Sequence, residues 1–145
     1  MTDVAACIGL GAIESYGTQL ARRRSNAKYL AKGLSGLSQI RVPNVPDGRE
    51  HVWHQFTLVL TSDDPVERTS LSSHLAACGI ESGVYYPLPL YDYPCFRNHP
   101  MVILDEPTPV SDRISRSCIS IPVHPRLTRG ELDRIIESIR EFFAR

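Results

Sequence analysis

The sequence predicts an α/β fold, a two-layer α+β sandwich with a long first helix, a short, mostly antiparallel sheet and a C-terminal helix. Three observations carry this. Apolar residues recur at near-helical spacing through the first 35 positions, His51 to Leu60 alternates as a strand does, and the last stretch opens on a capping box. The 145 residues fit one domain, residues 1–145. Lys plus Arg balances Asp plus Glu at 16 each, which speaks against a nucleic-acid footprint or a polybasic membrane patch. No apolar run approaches the ~20 residues of a membrane span, and Met1-Thr2-Asp3 lacks the start of a signal peptide, so a cytoplasmic protein is expected. Cys7, Cys78, Cys95 and Cys118 stand apart with no C-x-x-C pair, which supports neither a metal site nor a disulfide framework. Reduced structural thiols are expected, unless a basic neighbourhood activates one.

The first helix is predicted over residues 2–35, capped by Thr2 or Asp3 and carrying Val4, Ile8, Ile13, Leu20, Ala27, Leu30 and Leu34 on one stripe. Gly9, Gly11 and Gly17 each cost up to ~1 kcal/mol there, which implies close packing against another element. Arg22-Arg23-Arg24 reads as a solvated face. Ile40 to Val45, broken by Pro43 and Pro46, suits a sheet edge, and Asp47-Gly48 supplies a turn. In the strand from His51 to Leu60, Val52, His54, Phe56, Leu58 and Leu60 share a face that is apolar except for His54. That histidine is either a satisfied core group or one aimed at a ligand.

Asp63 or Asp64 caps a helix with Pro65 in its first turn and Val66, Leu71, Leu75 and Ala76 as its buried stripe; Gly79 ends it as a left-handed cap. Ile80 to Tyr86 then offers a strand that runs into Pro87-Leu88-Pro89-Leu90-Tyr91. Each proline fixes its own φ and extends its predecessor, so Tyr85, Tyr86 and Tyr91 ride on a stiff ribbon that makes a good ligand wall. The alternative is that Tyr85 and Tyr86 merely alternate between core and solvent. Asp92 to Pro107 is loop and short turns. A short helix follows from Pro109 with Thr108 as cap, then a strand from Ser117 to Val123. In the last helix Thr128 and Glu131 form the capping box, Leu127 and Leu132 the staple, and Leu132, Ile135, Ile136, Ile139, Phe142 and Phe143 the buried face.

There is no G-x-S-x-G, P-loop, G-x-G-x-x-G or H-E-x-x-H, so hydrolase, NTPase, dinucleotide and zinc-protease chemistry have no anchor. Four stretches instead carry a resemblance: Met1-Thr2-Asp3-Val4-Ala5-Ala6-Cys7-Ile8-Gly9-Leu10, His51-Val52-Trp53-His54, Gly79-Ile80-Glu81-Ser82-Gly83-Val84-Tyr85-Tyr86-Pro87-Leu88-Pro89-Leu90, and Ser120-Ile121-Pro122-Val123-His124-Pro125-Arg126-Leu127-Thr128. In order and spacing they resemble the C-terminal part of the DegT/StrS family, pyridoxal-phosphate-dependent nucleotide-sugar aminotransferases of fold type I.

The resemblance implies the small domain of an enzyme that moves an amino group, usually from glutamate, onto a nucleotide-linked keto-sugar during glycan precursor synthesis. It also implies that the large domain, with the Schiff-base lysine, is absent. Lys28 and Lys32 sit in no such motif, so no catalytic, cofactor-binding or metal-ligating residue is expected, and pyridoxal phosphate is not expected to be held covalently. Residues 1–35 correspond to the helix that links to the large domain. Tyr85, Tyr86 and Tyr91, with His54, are the substrate-binding candidates; Tyr91 stands where relatives carry a histidine, and a phenol differs from an imidazole in charge and reach. The implied partners are a nucleotide-sugar and either a second copy or a large-domain chain. The other readings are one half of a split enzyme and a stand-alone interaction or regulatory module.

Overall fold

A computed structural model describes residues 1–104 and 106–144. The elements, in chain order, are α1 (Asp3–Leu34), β1 (Ile40–Arg41), β2 (Phe56–Leu60), α2 (Pro65–Ala77), a 3-10 turn (Leu90–Asp92), α3 (Pro94–Arg97), α4 (Pro109–Ser117), β3 (Cys118–Ile121) and α5 (Arg129–Phe143). The strands form one antiparallel sheet in the order β1-β2-β3, with Phe56 opposite Ile121 and Ile40 opposite Leu60. On β2, Phe56, Leu58 and Leu60 are fully buried while Thr57 and Val59 are half-buried, the alternation of a strand with one face on a core. That face packs into a single cluster with Ala27, Leu30 and Leu34 of α1, Leu71 and Leu75 of α2, and Leu132, Ile135 and Ile139 of α5.

Local chemistry sets the ends of the helices. Thr2 caps α1, accepting from Ala5 N–H, and Asp64 caps α2, accepting from Val66 N–H at 2.8 Å. Gly79, at φ 74°, ends α2 in a Schellman motif: its N–H donates to Ala76 and that of Ile80 to Leu75, both at 2.9 Å. The capping box at Thr128 forms as expected. Glu131 N–H donates to the threonine hydroxyl, and Thr128 N–H donates to the carboxylate at 2.7 Å, which holds the Glu131 carboxyl below its usual range. Where α1 crosses α5, a Cβ on Gly33 would lie 2.8 Å and 3.1 Å from the two Cγ atoms of Ile136. The absence of a side chain there is what lets the helices meet.

Several expectations are corrected. The close packing inferred for Gly9, Gly11 and Gly17 is absent within this chain: a Cβ on any of them would meet nothing within 4 Å, and Val4, Ile8 and Ile13 are exposed. The α1 stripe is buried only at Ala27, Leu30 and Leu34, because the body of the fold reaches only the second half of the helix. Along α2, Val66 and Ala76 are exposed, since β3 and α5 cover only the Leu71 and Leu75 side. The strand expected from Ile40 stops at Arg41, before the prolines, and the strand expected from His51 begins only at Phe56. Ile80 to Tyr86 pairs at one point alone, an antiparallel bridge between Gly83 and Ser120. Thr108 precedes α4 without capping it; its hydroxyl lies 2.7 Å from that of Tyr91 instead.

Candidate functional site

A cleft of about 610 Å3 opens where the middle of α1, the loop before β2, residues 79–85 and the connection from β3 to α5 meet; Arg23, His54, Tyr85, His124 and Arg134 are among its walls. Tyr85 reaches it because Gly83 has no side chain. A Cβ on Gly83 would lie 2.5 Å from Cε2 of Tyr85 and 2.7 Å from its Cζ and hydroxyl oxygen, so the phenol ring lies across the glycine. Gly83 is itself fixed by its exchange of hydrogen bonds with Ser120, at 2.9 Å and 2.7 Å. The neighbouring Tyr85–Tyr86 peptide is cis, and the two rings meet edge to face at 6.2 Å.

His54 enters the cleft by a different device. Trp53 has φ 52°, in the left-handed region that side chains other than glycine avoid, and this bend interrupts the strand expected from His51. Such a conformation persists where its surroundings over-determine it. Here Arg23 Nη1 donates to Trp53 O at 3.2 Å, Trp53 N–H donates to His51 Nδ1 at 2.8 Å, and the indole lies between Phe56 and His51 at 5.5 Å and 4.4 Å. Arg24 adds a 2.6 Å ion pair to Glu50. The arginine run expected to be a solvated face thus holds the loop that delivers His54.

Of the four substrate-facing candidates, the cleft takes His54 and Tyr85. Tyr86 is exposed and is not part of its wall. Tyr91 lies elsewhere, its hydroxyl 2.7 Å from Thr108 Oγ1 and donating to Asp112 Oδ1 at 2.6 Å, and the bond to Asp112 raises its pKa. It staples the proline ribbon to α4. Sequence reasoning missed Arg23, His124 and Arg134 as cleft residues. Arg23 was hidden in a charged run, and Arg134 offers no local signal, because only the docking of α5 on α1 turns it to the cleft. His124 was legible only as part of a motif.

A model of the DegT/DnrJ/EryC1/StrS aminotransferase family matches residues 1–140. The chain belongs to that family. It is 33% identical, over 81% of its length and 29% of the relative's, to a UDP-N-acetyl-3-dehydro-α-D-glucosamine 3-aminotransferase of Acidithiobacillus ferrooxidans. To the dTDP-3-amino-3,4,6-trideoxy-α-D-glucose transaminase of Streptomyces venezuelae it is 32% identical over 86% of its length and 31% of the relative's. Among solved structures, that of DesV from S. venezuelae, in complex with a ketimine intermediate, superposes with a TM-score of 0.81 at 28% identity, over 92% of this chain and 34% of the other. This member of the DegT/DnrJ/EryC1/StrS family therefore spans about a third of the length of the relatives it matches, and its fold is the α/β one of the family's sugar aminotransferases.

Pyridoxal phosphate is the cofactor that the family implies. The residues present do not fit a covalent site for it. Lys28 is exposed on α1, and Lys32 lines a separate groove with Tyr29, Arg129 and Arg140; neither borders the cleft that holds His54 and Tyr85. No group of three metal-ligating side chains occurs among the described residues. Cys118 is buried, and burial pushes its pKa up against the weaker pull of Arg68. No helix of the described residues is long and apolar enough to cross a membrane.

Proposed function

We propose that this chain is the C-terminal, substrate-side portion of a nucleotide-sugar aminotransferase, a single domain whose cleft forms one wall of the sugar site and whose catalytic lysine comes from a separate large domain. The observation that carries the reading is the convergence of His54 and Tyr85 on one cleft. They come from two stretches 31 positions apart, and each is put there by an otherwise costly local feature: a left-handed tryptophan in one case, a glycine under an aromatic ring in the other. His54 and Tyr85 are themselves exposed, so neither is put there by its own burial.

Tyr85 supplies an apolar face for a sugar ring and a hydroxyl for its oxygens, and His54 a second hydrogen-bonding group. Tyr86, beside them at the rim, completes the aromatic edge once a second chain closes over it; Tyr91 acts through the ribbon it anchors. The two relatives described above are named for UDP- and dTDP-linked sugars. The sugars in those names differ in base, pentose and hexose substituents and share a diphosphate-linked hexose, so a wall of this fold recognises the shared part. Pyridoxal phosphate belongs to the complete assembly, where it supplies the amino-carrying chemistry.

The test joins this chain to the remaining part of the A. ferrooxidans relative and measures KM and melting temperature together. Tyr85→Ala is expected to raise KM for the nucleotide-sugar about tenfold with the melting temperature held, a change equivalent to ~1.4 kcal/mol. An unchanged KM with a fallen melting temperature makes Tyr85 a packing residue and removes the site assignment.

A further inference from the structure

The bend at Trp53 depends on the state of one imidazole. Trp53 N–H donates to His51 Nδ1 at 2.8 Å, so that nitrogen carries a lone pair and the ring is the neutral form with its proton on Nε2. A protonated imidazole has N–H on both nitrogens and cannot accept. The other side-chain hydrogen bond to the Trp53 backbone, from Arg23 Nη1 to Trp53 O, comes from a guanidinium, which does not lose its proton.

The conformation that these two bonds oppose is written in the local pattern. Val52, His54, Phe56, Leu58 and Leu60 alternate as an extended strand would, and Phe56–Leu60 adopts that geometry. Trp53, at φ 52°, breaks the alternation, and His54 becomes part of the cleft wall. A left-handed tryptophan is costly and persists only while its surroundings hold it, so the extended strand is the state to which the turn relaxes when a restraint is lost.

The charged groups beside His51 are Arg23 and Arg24 from α1 and Arg49 and Glu50 in its own loop, with Glu50 paired to Arg24. The cleft that His54 enters adds Glu81, Tyr85, His124, Glu131 and Arg134. Arginine, glutamate and tyrosine side chains do not ordinarily change charge between about pH 5 and 8, whereas imidazoles do, near about 6.5. Of the three imidazoles here, only that of His51 bonds the Trp53 backbone.

We propose that His51 is a positioning residue: its neutral imidazole, accepting at Nδ1 from Trp53 N–H, holds the bend that places His54 in the cleft, and it releases that bend when it takes up a proton. This rests on the reading of the cleft as a sugar wall and adds the group that sets one of its side chains in place. Losing the bond lowers the ratio of bent to extended chain about fivefold. The new charge also draws the ring to the indole, whose centroid lies 4.4 Å away, but that contact joins positions two apart, which share a face in an extended strand as well, so it does not select the bend.

Trp53 is the chain's one tryptophan, so isotope-labelled tryptophan gives a single backbone signal, and its Cα chemical shift distinguishes left-handed from extended geometry. In the full chain that shift is expected to move towards the extended value as the pH falls from 8 to 5.5. In His51→Asn it is expected to stay left-handed throughout, because an asparagine oxygen also accepts from the N–H two residues on and does not titrate. In His51→Phe, which keeps a ring but no acceptor, it is expected to sit nearer the extended value at every pH. His51 is exposed, so neither change touches the core. A shift that is indifferent to pH in the parent chain, or that moves equally in His51→Asn, overturns the assignment.

The chimera with the A. ferrooxidans relative separates this from the reading beneath it. Between pH 8 and 5.5, KM for the nucleotide-sugar is expected to rise about fivefold more in the parent than in His51→Asn. A Trp53 signal that behaves as described, with KM indifferent to both His51→Asn and Tyr85→Ala, keeps the positioning role and removes the sugar wall. KM that responds to Tyr85→Ala, with a Trp53 signal indifferent to His51→Asn and to pH, does the reverse.

Discussion

Replacing Gly33 by Ala sets two effects of known size against each other. Gly33 lies in the last turn of α1, where the change is worth up to about 1 kcal/mol in favour of Ala. At Gly33 the new methyl also meets Ile136, with both Cγ atoms of that branched side chain within 3.1 Å, so Ile136 has to leave its rotamer or α1 has to lift from α5. Overpacking of this kind costs about 1–3 kcal/mol, so the net expectation is a loss of about 1 kcal/mol, or roughly 3 °C in melting temperature for a domain of this size. Truncating the neighbour reverses the sign. Ile136→Ala alone costs about 2–3 kcal/mol, and in that background Gly33→Ala is expected to stabilise by about 1 kcal/mol, because the clash is gone and the propensity gain remains. The coupling between the two sites is therefore about 2 kcal/mol, measurable as a double-mutant cycle by urea unfolding followed by far-UV circular dichroism. If Gly33→Ala changes stability by the same amount in both backgrounds, to within about 0.3 kcal/mol, the close approach of the two helices is not what the glycine provides.

Thr128→Ala is expected to cost about 1 kcal/mol by uncapping α5. Because the Glu131 carboxyl is held below the ordinary glutamate range in the folded chain, its contribution is present above that range and lost as the pH falls through the lowered value. The stability difference between the parent chain and Glu131→Gln should therefore be flat near neutrality and shrink on acidification; a difference that grows in acid refutes the assignment. Tyr91→Phe should leave the core intact but speed limited proteolysis between residues 84 and 104, and an unchanged cleavage pattern argues that the phenol does not hold the ribbon. With Val4, Ile8 and Ile13 exposed on one projecting helix, the chain should self-associate or be poorly soluble, and a monodisperse monomer in sedimentation at high concentration contradicts this. Titration with pyridoxal phosphate should give no stoichiometric Schiff-base absorbance, and an adduct mapped to Lys28 or Lys32 overturns that expectation.

The parts of this fold legible in the sequence are those fixed by neighbours in the chain. The cap at Asp64, the Schellman glycine at 79, the capping box at Thr128 and the alternation from Phe56 to Leu60 all follow from residues within a few positions of one another. Elements that depend on distant partners were less legible. The apolar period of α1 is the same at Ile8 and at Leu30, yet only Leu30 is covered, because coverage depends on how far α5 reaches. Alternation through Val52 and His54 gave no hint of the left-handed bend at Trp53, which depends on Arg23 donating across 30 positions. His54 and Tyr85 came from motifs and the structure brings them together, whereas the part of Arg134 in the cleft depends on helix docking and leaves no trace in the local pattern.

The end of α1 is completed from the far side of the chain. Arg140 Nε donates to Gly33 O at 2.7 Å and its Nη2 to Ser35 O at 3.0 Å, across separations of 107 and 105 residues. The carbonyls that close the first helix thus find their partner only when the last helix has been made and has docked. During synthesis α1 leaves the ribosome before α5 and waits with its Ala27, Leu30 and Leu34 stripe uncovered, while the loop to be closed spans 107 residues. Completion of this end of α1 therefore waits on a long-range closure. Nascent chains stalled before α5 should be ready substrates for chaperones that bind exposed aliphatic helix.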